Sequence, residues 1–162
     1  MSRTTNLSRP IIEALYTEAL VLADEVRAAF ALCGDTSNRM EVIGQSKDDF
    51  RLALSSEGLK CTTRMMHVLA WLLNQRAFFS GDLNDSQLRQ HGRLPVDRPA
   101  RPENLEMLET ATCDLIEETM YLHRRIARLD QAWSDEFETQ PIVRSMHERL
   151  NRELMQHPQL RA

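Results

Sequence analysis

Two stretches of the chain place apolar or small side chains at alternating spacings of three and four, the mark of a helix with one buried stripe. In the second half the run is Leu105, Leu108, Thr112, Leu115, Thr119, Leu122, Ile126, Leu129 and Trp133. Near the start it is Ile12, Leu15, Ala19, Leu22, Val26, Ala29 and Cys33. The first helix is predicted to begin at the N-cap Ser8, tolerate Pro10 in its first turn and end before Gly34. The last of the long helices is expected to open at Pro102 and Glu103 and to reach Trp133.

The middle region follows a broader pattern. Ser46 and Asp49 fit a capping box ahead of Phe50, and the Ser80-Gly81 pair supplies a stop. On a wheel of 100° per residue, Cys61, Met65, Val68, Leu72 and Phe79 share one side, with Met66, Leu69 and Leu73 beside and behind them. A helix apolar over so wide an arc needs two neighbours. The expectation is therefore an all-α protein, an antiparallel three-helix bundle with the middle helix central. Gly58 inside that helix costs about 1 kcal/mol relative to Ala, and points to a kink or a close helix contact.

The narrow face left over holds Lys60, Arg64, His67, Trp71, Asn74 and Phe78. Large aromatics in a polar stripe have two readings. Either the Gly81 to Asn104 connection or the C-terminal segment covers them, or they form an interface patch of the kind that carries binding hot spots. Arg76 points into the apolar arc and is expected to snorkel, to cap the helix or to pair with an acid such as Asp82 or Asp85.

The Gly81 to Asn104 connection, with one helical turn expected at Asp85 to Arg89, is longer than ordinary loops. After residue 133 the chain turns acidic, then offers Ile142 or Val143, Met146, Leu150 and Leu154 beyond Pro141. Residues 8–133 are thus expected to form the bundle domain, and residues 134–162 a C-terminal tail with a short amphipathic helix, docked or folding on a partner.

Composition narrows the chemistry. With 42% hydrophobic and 27% charged residues, 5 Gly and 6 Pro, the chain has an ordinary globular makeup poor in turns. Twenty basic and 24 acidic residues give a net charge of −4, without the footprint of a nucleic-acid-binding protein. Neither a signal peptide nor a membrane span is legible, so a cytoplasmic location is expected. Cys33, Cys61 and Cys113 contain no CxxC pair and read as reduced, buried or half-buried residues. No Glu-x-x-His pair, HExxH, GxSxG or phosphate loop occurs, and His123 reads as a hydrogen-bonded boundary residue. The expectation is no enzyme, no catalytic or metal residue and no cofactor.

The stretch Thr62 to Ala77, TTRMMHVLAWLLNQRA, followed by Gly81-Asp82-Leu83 and Leu94, resembles the central motif TTRLMQxxxWLLxQRA of the DUF1465 family. By order of elements the similarity covers roughly residues 10 to 135, and Arg64, Trp71, Gln75 and Arg76 match the motif position by position. His67 replaces a common Gln, and Asn74 occupies a variable position. The resemblance implies a three-helix bundle that forms a homodimer, lacks catalytic activity and helps deliver cell-cycle regulators to the ClpXP protease in alphaproteobacteria. Implied partners are ClpX with a priming response regulator, a second adaptor that binds cyclic di-GMP, and protein cargo. Arg64, His67, Trp71 and Gln75 are the candidate partner contacts. The rival from another class is a nucleic-acid-binding regulator that uses Arg89, Arg93, Arg98 and Arg101, although acidic neighbours oppose it.

Overall fold

The computed structural model describes the backbone of residues 9–36 and 47–156 and the side chains of residues 9–32 and 47–135. It is all-α, with no strand among the described residues. Helices α1 (Arg9–Thr36), α2 (Lys47–Ser80) and α5 (Thr110–Gln156) are long, and α3 (Asp85–His91) and α4 (Pro102–Leu105) interrupt the connection between α2 and α5. No described helix is long and apolar enough to cross a membrane.

The alternating stripes become one core. Ile12, Leu15, Ala19 and Leu22 of α1 meet Met65, Val68, Trp71 and Leu72 of α2 and Leu122 and Ile126 of α5. A second cluster joins Val26, Cys61 and Ile116. Gly34 does not end α1, because a single glycine costs a helix only about 1 kcal/mol. Ser8, Ser46, the Cys33 side chain and the expected amphipathic side chains from Ile142 to Leu154 lie outside the described residues.

At the end of α2, Gly81 takes φ +84 and closes a C-terminal cap in which Gly81 N donates to Phe78 O and Asp82 N to Ala77 O, at 3.0 and 2.9 Å. The last long helix starts later than expected, at Thr110. Leu105 and Leu108 still pack beside Val26 and Ile116, so the hydrophobic phase outlasts the break in the backbone. At its other end α5 passes through Pro141, although a proline lacks the N–H that an interior helical position would use.

The contacts correct the antiparallel expectation. Arg76 near the end of α2 pairs with Glu13 near the start of α1, and Phe30 packs on Gly58, so α1 and α2 are antiparallel. By contrast, Arg64 bonds to Thr119 and Trp71 to Asp130, so α2 and α5 run parallel. The physical reason lies in residues 81–109, which travel back along α2 before α5 begins. Arg76, with its guanidinium 4.4 Å from the centre of the Tyr16 ring, is held by α1 and not by Asp82 or Asp85. Met66 and Leu73, assigned to the apolar arc, stay 63% and 47% exposed because α1 and α5 together cover only part of it.

Gly58 is a close-contact glycine: a Cβ there would stand 2.9 Å from Phe30 Cδ1. Gly→Ala inside a helix normally stabilises by up to about 1 kcal/mol. Here overpacking should win, and Gly58→Ala should destabilise by about 1–3 kcal/mol in urea unfolding. The loss should shrink when Phe30→Leu is added.

Candidate functional site

The polar stripe of α2 is roofed by the returning chain. Residues 91–104 form a strap whose order runs opposite to that of α2, and anchors recur along one stripe of the helix from Glu57 to Asn74. Asn74 Nδ2 donates to His91 O at 3.3 Å, and Trp71 Nε1 donates to Asp130 Oδ1 at 2.8 Å. The other oxygen of Asp130 accepts Leu94 N at 3.2 Å, so one carboxylate ties α2, α5 and the strap together. His123 Nε2 lies 3.1 Å from Pro95 O; a carbonyl only accepts, so this nitrogen carries the proton.

Arg64 is the central anchor. Its Nε donates to both oxygens of Asp97, at 2.8 and 2.9 Å. Nη1 donates to Thr119 Oγ1 at 2.6 Å and Nη2 to Arg98 O at 3.0 Å. The side chain is fully buried, a location a guanidinium tolerates only with its charge paired and its donors used.

Glu57 closes the lower end. Its Oε1 accepts Lys60 Nζ at 2.8 Å, Asn104 Nδ2 at 2.6 Å and Arg101 N at 3.3 Å, and Lys60 Nζ also reaches Pro99 O. Burial pushes this carboxyl up, but the hydrogen bonds from Lys60, Asn104 and Arg101 and the Lys60 charge outweigh it and hold the group below its ordinary 4.5. Its second oxygen, Oε2, is buried without a hydrogen-bond partner among the described residues.

Of the four predicted contact residues, Arg64, Trp71 and Gln75 are buried, and only His67 reaches the surface. Covering by the connection, not exposure as a patch, therefore describes Trp71. Phe78 is likewise occupied, packing edge-on against Trp133 with ring centres 5.4 Å apart. Glu57, Asp97, Asn104 and Asp130 were not singled out by sequence, because their partners are distant along the chain. The available signal was Glu57 one turn before Lys60 on the same stripe.

His67 lines a cleft of about 360 Å³ between α2 and the strap, with Leu59, Thr63, Val96 and Arg98 around it. Two cysteines offer no reactive thiolate. Burial pushes the Cys61 thiol up, against weaker opposing effects of Thr119 and Arg64, and burial with the Asp114 charge does the same to Cys113. No group of His, Cys, Asp and Glu placed to hold a metal occurs among the described residues.

The model of the family described as "Protein of unknown function (DUF1465)" matches residues 3–155. No curated protein and no solved structure matches the chain.

Trp71→Ala should cost about 3–5 kcal/mol as a core truncation, and Arg64→Ala a similar about 3–5 kcal/mol because Asp97 loses its counter-ion. Both are read from urea midpoints, and hydrogen exchange should report loosened amides at residues 94–101 in the Arg64 variant. Glu57 is depressed in the folded state, so its stabilising contribution is present above about 4.5 and is lost as pH falls through the folded value. Unfolding midpoints measured from pH 6 to 3 should therefore fall less steeply in Glu57→Gln than in the parent.

Proposed function

The chain belongs to the DUF1465 family, and from that premise we propose that it is a homodimeric adaptor that works by binding other proteins. Its motif resembles that of the protease adaptor RcdA. The reading is delivery of cell-cycle regulators to ClpXP in the cytoplasm, together with a priming response regulator, a second adaptor and cargo. Such a protein acts by raising the local concentration of cargo at the protease, so that affinity and valency take the place of catalysis.

The observation that carries the binding reading is the outer face of α2. Leu52, Leu59, Met66 and Leu73 recur every seventh residue and are 71, 70, 63 and 47% exposed. The other exposed positions between them, Ser55, Thr62, Thr63 and Ala70, are small and uncharged. A face about 32 Å long with no charge is costly to leave in water and suited to another helix.

The same positions are symmetric about the Thr62–Thr63 bond. An antiparallel copy of α2 would set Leu52 opposite Leu73, Ser55 opposite Ala70 and Leu59 opposite Met66. Self-complementarity of this kind is what a twofold interface requires. It supports the homodimer and favours α2 as the face that pairs.

Met66→Glu should shift the sedimenting species from dimer to monomer while the far-UV circular dichroism stays helical. A dimer of unchanged affinity would remove α2 as the pairing face. Affinity capture from the native cell tests the adaptor reading: enrichment of ClpX and a response regulator is expected, and their absence would overturn it.

A further inference from the structure

The cleft beside His67 has a chemistry that neither the core nor the α2 face accounts for. Val96 is 92% exposed although both neighbours in sequence are fixed, Pro95 through its carbonyl to His123 and Asp97 through its carboxylate to Arg64. The strap is thus pinned on either side of Val96 and holds an apolar side chain out into water. Leu59, 70% exposed, lines the cleft where it meets the α2 face, and Thr63 and His67 complete the wall on α2.

The charges around this cleft are unequal. Lys60 has its carboxylate in Glu57, and Arg64 has Asp97. Arg98 contributes its backbone carbonyl to Arg64, but its exposed guanidinium has no carboxylate partner among the described residues. Among the described residues each acid lining or flanking the cleft is therefore matched, and the Arg98 guanidinium is left over. The cleft combines an apolar grip, a surplus planar cation and an imidazole at one end, in a volume of about 360 Å³ that suits one or two side chains.

We propose that this cleft docks a short segment of a partner protein in which a carboxylate stands next to a bulky aliphatic side chain. The aliphatic group packs on Val96 above His67, and the carboxylate meets Arg98 in the planar, two-pronged geometry a guanidinium favours. His67 bounds the segment at its far end. Leu59 and Thr63 belong to the α2 face and serve pairing, whereas His67, Val96 and Arg98 lie on the strap side, so a paired molecule keeps two copies of the strap-side site.

The inference rests on the reading of the chain as a binding protein, but its test uses the purified full-length chain alone. The probes are two capped tripeptides, Ala-Asp-Leu and Ala-Asn-Leu, titrated against the isotope-labelled protein and followed by amide chemical shifts. The acidic peptide should shift His67, Val96 and Arg98 saturably, and the neutral one should bind at least about fivefold more weakly, the scale of one charge-assisted contact. Arg98→Gln should abolish that preference, and Val96→Ser should weaken both peptides. Arg98→Gln keeps the backbone carbonyl that Arg64 uses, and Val96→Ser alters a side chain exposed to water, so thermal unfolding and sedimentation should stay as in the parent.

Equal binding of the two peptides would overturn the proposal, as would saturable shifts confined to the α2 face or no saturable shift from the acidic peptide. Failure to capture ClpX in the native cell would leave these peptide results standing. A failed titration, in turn, would leave delivery to ClpXP to be judged on its own experiment.

Discussion

The ion pair between Arg64 and Asp97 is the constraint on which the arrangement of the chain depends. A fully buried guanidinium on the central helix must find a carboxylate, and its partner lies on a segment with no long helix of its own. Desolvation offsets much of the attraction within such a pair, so its main consequence is selective. Sliding the strap by one residue would strand the cation opposite Val96 or Arg98. The pair fixes register, and the anchors at Glu57, Trp71 and Asn74 then fall into place along the same stripe of α2.

Fixing the strap also fixes the topology. A short turn after α2 would have made α5 antiparallel to it, whereas a connection held along the whole polar stripe delivers the chain to the starting end of α2. Helix α5 therefore runs parallel to α2 and antiparallel to α1. Asp130 receives both the Trp71 indole and the Leu94 amide, and Thr119 receives Arg64, so α5 completes anchors begun on the other two segments. Connection, central helix and last helix are cooperative parts of one polar seam beside the apolar core.

Much of this was legible in the residues. The alternating spacings placed α1, α5 and their buried positions, and Met65, Val68 and Leu72 of the middle stretch placed α2 in the same core. The polar stripe was also correctly located on α2. Direction was not legible, because helix periodicity carries no information about which way the next helix runs. The roof was one of two open readings, since a wheel shows which residues share a face but not what covers it. Asp97 and Asp130 were invisible for the same reason: a carboxylate in a loop or on a helix edge acquires meaning only when the distant cation or indole is placed beside it. Met66 and Leu73 show the converse, for apolar residues outside the core look identical in sequence to those within it.

The motif from Thr62 to Ala77 then divides by direction, not by position along the chain. Arg64, Met65, Val68, Trp71, Leu72 and Gln75 point inward and build the fold, whereas Thr62, Thr63, Met66, Ala70 and Leu73 are exposed. His67 stands at the boundary, where the outer face gives way to the cleft under Val96. Substituting an inward residue disturbs binding only through the fold, and substituting an outward one should leave the fold nearly untouched. One helix can therefore hold a demanding polar seam and a separate recognition face, because 3.6 residues per turn keep the two sets apart.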